Sequence, residues 1–228
     1  MLASVRIFYL IFFLITCASS RVVQVEIQTQ SSVLNGQRFG LAGTYEAIDG
    51  KIHFAVDPSN QANGIITDIN FAPGNQNGEV EFSSDFFLIR PTNMSQSNGA
   101  LLLDLPNRGR KTAFSMFNRA KGSHTPKTAK EYGDGFLLNE GFTILSIGWQ
   151  FDPPRKKNRM RLYTPIARHD GRSIHGIVRS DFIVRNQVQD HILSDRNHIP
   201  YEVADPFSAA NQLSVRDTVE GERVIIPN

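Results

Sequence analysis

Cysteine is almost absent from this chain of 228 residues: the one cysteine, Cys17, lies within the first twenty. A single cysteine cannot form an internal disulfide, so stability must come from packing of the core. An excess of one charge is also lacking, because the formal net charge is only +2. So small a charge gives no global attraction to a polyanion, and nucleic acid is not expected as a partner.

A long hydrophobic run is missing as well. The longest apolar stretch, Ile7–Ile15, is too short for a membrane-spanning helix, which needs about 20 residues, but it suits a signal peptide. Ala18 and Ser20 supply small residues where signal peptidase reads. Residues 1–20 are therefore predicted to direct export to the periplasm or the extracellular space, and the membrane is contacted only through this leader. An uncleaved anchor and a lipoprotein attached through Cys17 remain alternatives.

The remainder, residues 21–228, is predicted to be one β-rich domain. Val23, Val25 and Ile27 alternate with polar residues, which predicts a half-buried strand. Short strands separated by turn residues follow, one of them near residues 65–71. Further strands are predicted near residues 159–167, 174–184 and 214–226.

The middle of the chain has a different pattern. The apolar run Ala100–Leu105 predicts a strand buried on both faces. Helices are predicted near residues 112–119 and 129–139, the second ending before Gly141, and Phe142–Trp149 forms a second buried run. Strand, helical crossover and strand make a parallel βαβ unit. The predicted fold class is therefore β-rich α+β, with antiparallel strands flanking one βαβ-like unit.

Several short motifs together resemble the N-terminal part of the secreted bacterial proteins called alpha/beta hydrolase domain-containing proteins. The segments that carry the resemblance are Phe39-Gly40, Gly43-Thr44-Tyr45-Glu46, Ala55-Val56-Asp57-Pro58, Glu81-Phe82-Ser83-Ser84-Asp85-Phe86, Asn107-Arg108-Gly109, Gly148-Trp149-Gln150, Tyr201-Glu202-Val203-Ala204-Asp205-Pro206 and Ser214-Val215-Arg216-Asp217. Family members are usually much longer. The resemblance implies an esterase-like ancestry, no cofactor, and a missing C-terminal hydrolase half as the partner.

The nucleophile motif of such hydrolases, G-x-S-x-G, does not occur in the sequence. That motif forms a sharp turn between strand and helix that exposes the serine, so its absence predicts no catalytic residue here and no activity of the chain alone. The serines with glycine neighbours, Ser123 and Ser173, do not follow buried strands and are interpreted as loop residues.

In the hydrolase layout, the loop after the strand that precedes the crossover donates a backbone N–H to the oxyanion. Asn107, Arg108 and Gly109 occupy that position, and the alternative is an ordinary tight turn. Trp149 and Gln150, at the end of the next strand, are candidates for the pocket wall.

Other candidate sites are weaker. The histidines lack the His-Glu-x-x-His spacing, so no metal is expected, although His191, Asp195 and His198 would converge if their loop folded suitably. Two basic clusters, residues 108–121 and 155–161, suit either an anionic surface or plain solvation. The second hypothesis for function is a free-standing extracytoplasmic β-domain that binds a carbohydrate, lipid or protein.

Overall fold

The computed structural model describes residues 20–123, 125–156, 158–183, 186–193 and 198–226. The predicted leader, except Ser20, and Asp195 lie outside the described residues. The strands are β1 (Arg21–Ser32), β2 (Arg38–Phe39), β3 (Gly43–Val56), β4 (Val80–Pro91), β5 (Leu101–Asp104), β6 (Thr143–Ile147), β7 (Leu162–Tyr163), β8 (Arg168–His169), β9 (Arg172–Ser173), β10 (Leu213–Val215) and β11 (Val224–Ile226). The α-helices are α1 (Ala113–Phe117), α2 (Ala129–Tyr132) and α3 (Phe136–Asn139).

The main sheet mixes antiparallel and parallel pairing. Its strand order is β1-β3-β4-β6-β5, with β2 added to β3 and β7 added to β4. All pairs are antiparallel except β5 and β6, which run parallel with Leu102 opposite Ile144. The chain is therefore a β-rich α+β protein with few helices, which confirms the fold class predicted from the sequence.

The crossover from β5 to β6 carries the three helices, which confirms a parallel strand–helix–strand unit. The helix predicted near residues 129–139 is divided in two, because Gly133 and Gly135 adopt positive φ angles of 68° and 72°. A Cβ at Gly133 would overlap the backbone carbonyl of Asn118, so the chain makes a close turn there. Gly141, with φ of 78°, follows the end of α3 as predicted.

One face of the sheet is covered by the crossover helices, and this face holds the main core. Tyr45 is fully buried there, and its hydroxyl donates to the backbone carbonyl of Leu138 at 3.0 Å. Burial raises the pKa of Tyr45 to about 12. The other buried residues of this core are Val33, Phe39, Ala42, Phe87, Ile89, Ala113, Phe114, Tyr132, Leu137, Leu138, Ile144 and Met160.

The opposite side of the sheet, which we call the open face, is apolar, and in the described residues it is exposed along the edge strands β1 and β5, whereas Ile48 and Phe86 near its centre are buried. Directly opposed residues on neighbouring strands point to the same side of a sheet. The registers place these residues on the open face: Val25, Ile27, Ile52, Phe54, Phe82, Leu88, Leu101, Leu103, Leu145 and Ile147. Val25 and Ile27 are more than half exposed, as is Leu101.

Two predictions about burial are therefore wrong. Strand β1 was expected to be half-buried, yet its apolar side chains are exposed at the edge of the sheet. Strand β5 was expected to be buried on both faces, but it forms the opposite edge, and Leu103 is 50% exposed. The physical reason is the same in both cases: the helices cover only one side of the sheet.

The C-terminal region contains little regular structure. Two short hairpins, β8–β9 and β10–β11, are the regular elements described after β7. The strand predicted near residues 174–184 is absent over 174–183, where Ile177 and Ile183 are almost fully exposed and pair with nothing. The strand predicted near residues 65–71 is replaced by 3-10 turns at Gln61–Ile65 and Ile69–Phe71, the first capped by the side chain of Asn60.

Candidate functional site

The carboxyl ends of β5 and β6 lie side by side because these strands are parallel and adjacent. In open sheets, ligands commonly bind outside the carboxyl ends of parallel strands. The loop after β5 contains the 3-10 turn Asn107–Gly109, and the segment after β6 begins with Gly148, Trp149 and Gln150. The structure therefore brings together all five residues that the sequence singled out.

Two hydrogen bonds connect these segments. The backbone N–H of Arg108 donates to the side-chain oxygen Oε1 of Gln150 at 2.6 Å. The indole N–H of Trp149 donates to the carbonyl of Pro106 at 3.2 Å. Pro106 is buried whereas Trp149 is half exposed, so one edge of the indole contacts the loop and the rest of the ring contacts solvent.

Three successive backbone donors of the loop are engaged within the chain. Besides the Arg108 N–H, which Gln150 occupies, the N–H of Gly109 donates to Pro106 and that of Arg110 donates to Asn107. An oxyanion hole requires donors that are free to point at the reacting oxygen. The Arg108 N–H is the donor most readily released, because its acceptor is a side chain that rotates.

Gly109 is required by packing against the protein itself. Its φ is 72°, and a Cβ at this position would overlap both the backbone nitrogen and the carbonyl oxygen of Met160. Its carbonyl accepts a hydrogen bond from the Met160 N–H at 3.2 Å. The absence of a side chain therefore lets the segment around Met160 approach the loop closely.

Two residues hold this loop: Asp152, which the sequence did not single out, and Arg159, which belongs to the second basic cluster. The guanidinium of Arg108 forms an ion pair with Asp152, and the guanidinium of Arg159 donates to the carbonyl of Arg108 at 3.3 Å. Arg108 itself has a φ of 54°, a strained value for a residue with a side chain. These contacts fix the strained conformation, and neither partner lies in a periodic pattern that could have identified it.

A second polar network lies under the helices, at the carboxyl end of β5. One carboxylate oxygen of Asp104 accepts from the Ser146 hydroxyl at 3.0 Å and from the Thr112 N–H at 3.2 Å. Lys111 lies nearby, with its Nζ 4.8 Å from the centre of the Phe87 ring. Burial lowers the pKa of Lys111 to about 8, opposed by the charges of three aspartates.

Polar side chains from β1, β3, β4 and β7 lie side by side on the same face of the sheet as the helices, at the end that the helices do not cover. His53 lies 3.4 Å from Glu26, and Ser83 is opposite both His53 and Tyr163 in the strand registers. Across the described residues, no hydrogen bond joins Ser83 to His53. Ser83 is also paired on both sides within the sheet, so its surroundings offer no backbone donors for an oxyanion.

Metal ligands do not cluster in the described part of the chain: no three His, Cys, Asp or Glu side chains converge there. Asp195, one of the residues considered for a metal, lies outside the described residues. Within the described ranges, no helix has the length and apolar character needed to span a membrane. Comparison with family models, curated proteins and solved structures finds no match for this chain.

Proposed function

We propose that this chain is the N-terminal segment of an exported α/β-hydrolase-like protein and that it has no hydrolytic activity by itself. In this proposal the chain contributes a loop beside the substrate, and the remainder of the protein contributes the nucleophile. The motif resemblance supports the family assignment. The parallel pair β5–β6 supports the position of the loop beside a substrate.

The observation that carries the proposal is the geometry at the carboxyl ends of β5 and β6. The Asn107–Gly109 turn follows the strand that precedes the helical crossover, the position at which hydrolases of this layout present an oxyanion N–H. Rotation of the Gln150 side chain would free the Arg108 N–H for that use. The exposed Trp149 then forms part of the wall of the site.

The open face supports the missing-half part of the proposal. Contiguous exposed apolar surface is uncommon on monomeric proteins and marks a place where another layer packs. In the described residues, helices cover one side of the parallel pair, while Leu101 and Leu103 on the other side are exposed. A C-terminal half that covered this side and paired with the free edge of β5 would complete a layered sheet.

Hydrolysis of short p-nitrophenyl esters by the purified full chain tests the proposal. We expect no turnover above that of buffer. The most informative variant is Ser83→Ala, because Ser83 is the described serine that lies opposite a histidine next to a carboxylate. The partly buried Ser214, which also lies in a strand, provides a matched control. Turnover that Ser83→Ala abolishes and Ser214→Ala preserves would overturn the proposal.

A second function, that of a free-standing binding domain, is favoured by one observation. Phe151 and Tyr201 are each about half exposed, their ring centres lie 6.1 Å apart, and Phe151 is two residues from Trp149 along the chain. Exposed aromatic side chains in one place are typical of binding surfaces.

A further inference from the structure

The two basic clusters, separate in the sequence, meet at the loop after β5. Arg159 from the second cluster donates to the carbonyl of Arg108 in the first, and Met160 donates to Gly109. Burial lowers the pKa of Arg159, and the nearby charge of Arg110 lowers it further, so the two guanidinium groups lie close enough to repel. The turn that leads to Arg159 adds two exposed basic residues, Arg155 and Lys156.

Within the described residues, one acidic side chain forms an ion pair with this basic group. Asp152 pairs with Arg108. In the described part of the chain, Arg110, Arg155, Lys156 and Arg159 form no ion pair with an acidic side chain. Like charges held together without a counterion attract anions, and the attraction weakens as salt is added.

Exposed aromatic residues adjoin this basic group. Trp149 hydrogen-bonds to the loop through Pro106, and Phe151 directly precedes Asp152. Both are about half exposed. The Trp149 N–H is already bonded to Pro106, so the exposed part of the indole is its apolar ring. Exposed aromatic rings are favoured at the boundary between lipid tails and headgroups, and basic residues favour anionic headgroups.

We propose that Arg110, Arg155, Lys156 and Arg159, together with Trp149 and Phe151, form a docking surface for an anionic lipid bilayer. The combination favours a lipid surface over a soluble polyanion, because aromatic residues gain from leaving water at the headgroup boundary. The surface lies beside the candidate loop, so docking would bring that loop to the lipid–water interface. The inference specifies the partner of the binding-domain alternative and does not require hydrolysis.

The single tryptophan of the chain lies in this surface, so its fluorescence reports the proposed contact directly. The full chain is mixed with vesicles of phosphatidylglycerol and phosphatidylcholine, or of phosphatidylcholine alone, each with and without brominated acyl chains. We expect a blue shift of the Trp149 emission and quenching by bromine on the anionic vesicles only, both weakening as salt is added.

The double variant Arg110→Gln with Lys156→Gln removes two of the charges while leaving the hydrogen bond of Arg159 intact. Because each basic residue near an anionic membrane contributes about fivefold to partitioning, this variant should bind about 25-fold more weakly. Arg168→Gln with Arg172→Gln, on the exposed β8–β9 hairpin, removes the same charge elsewhere and should bind like the parent. All variants share residues 1–20, so differences between them report the surface and not the leader.

Three results would overturn the proposal. The first is equal quenching on neutral and anionic vesicles, and the second is equal weakening by the two double variants. The third is tighter binding of a single-stranded oligonucleotide than of the anionic vesicles, since stacked aromatics and arginines also bind such strands. None of these results bears on ester hydrolysis, so failure here is distinguishable from failure of the proposed function.

Discussion

The side-chain oxygen of Gln150 lies 2.6 Å from the backbone nitrogen of Arg108, and this contact joins the ends of two parallel strands. It occupies the backbone donor of Arg108. Rotation of the Gln150 side chain alone would make the Arg108 N–H available.

Replacement Gln150→Ala should open this donor. We expect the amide hydrogen of Arg108 to exchange with solvent at least several-fold faster, and the free energy of unfolding to fall by about 1 kcal/mol, the usual contribution of one hydrogen bond. Hydrogen exchange measured by NMR checks both effects. Gln150→Glu retains an acceptor and serves as the control; unchanged protection of Arg108 in the alanine variant would contradict the assignment.

Gly109 and Gly171 provide a matched pair. Their φ angles are 72° and 73°, but a Cβ at Gly109 would overlap the backbone of Met160, whereas nothing lies within 4 Å of one at Gly171. Gly171→Ala should cost about 1 kcal/mol from backbone strain alone, and Gly109→Ala should cost more, about 3 kcal/mol. Urea denaturation of both variants gives the comparison. Equal costs would show that the Met160 contact is not tight.

Neighbouring leucines of β5 test the open face. Leu102 points to the helix-covered core and Leu103 to the open face. Leu102→Lys should lower the free energy of unfolding by about 3 kcal/mol or more, since it buries a charge. Leu103→Lys should leave stability nearly unchanged and reduce both self-association and binding of a hydrophobic dye. A large loss of stability in Leu103→Lys would mean that this side is covered.

Stability should pass through a maximum in mildly alkaline solution. Lys111 has a pKa of about 8 in the folded protein, below its ordinary value, so between pH 8 and 10 the unfolded chain binds more protons and stability rises with pH. Tyr45 and Tyr132 have pKa values raised to about 12 by burial, so above pH 10 the unfolded chain loses protons first and stability falls.

Urea denaturation at pH 7 to 11 measures this profile. The Lys111→Met variant removes the ionisable amine while keeping an apolar stem of similar length. We expect the rise between pH 8 and 10 to disappear and the fall above pH 10 to remain. The same rise in the variant would assign it to a group other than Lys111.

Local sequence patterns predicted the centre of the fold better than its surfaces. The βαβ unit followed from two apolar runs separated by helical segments, and parallel pairing then placed Asn107-Arg108-Gly109 beside Trp149 and Gln150. Periodicity predicts on which side of β1 and β5 the apolar side chains lie, but it does not predict whether another layer of the protein covers that side. The exposure of Val25 and Leu103 was therefore beyond reach.

The contacts that hold the Asn107–Gly109 loop could also not be predicted from the sequence. Asp152 and Arg159 lie in irregular segments, where spacing carries no information about partners. Similarly, Gly133 and Gly135 were visible, but the close approach of Asn118 that requires a break between α2 and α3 depends on tertiary packing.

Covalent labelling tests most directly whether the chain carries a nucleophile of its own. The full chain is incubated with a fluorophosphonate, which reacts with activated serines, and its intact mass is measured. The account predicts no adduct on the native protein beyond the trace formed on the urea-unfolded chain. A stoichiometric adduct on a single serine of the native protein, absent after unfolding, would contradict it.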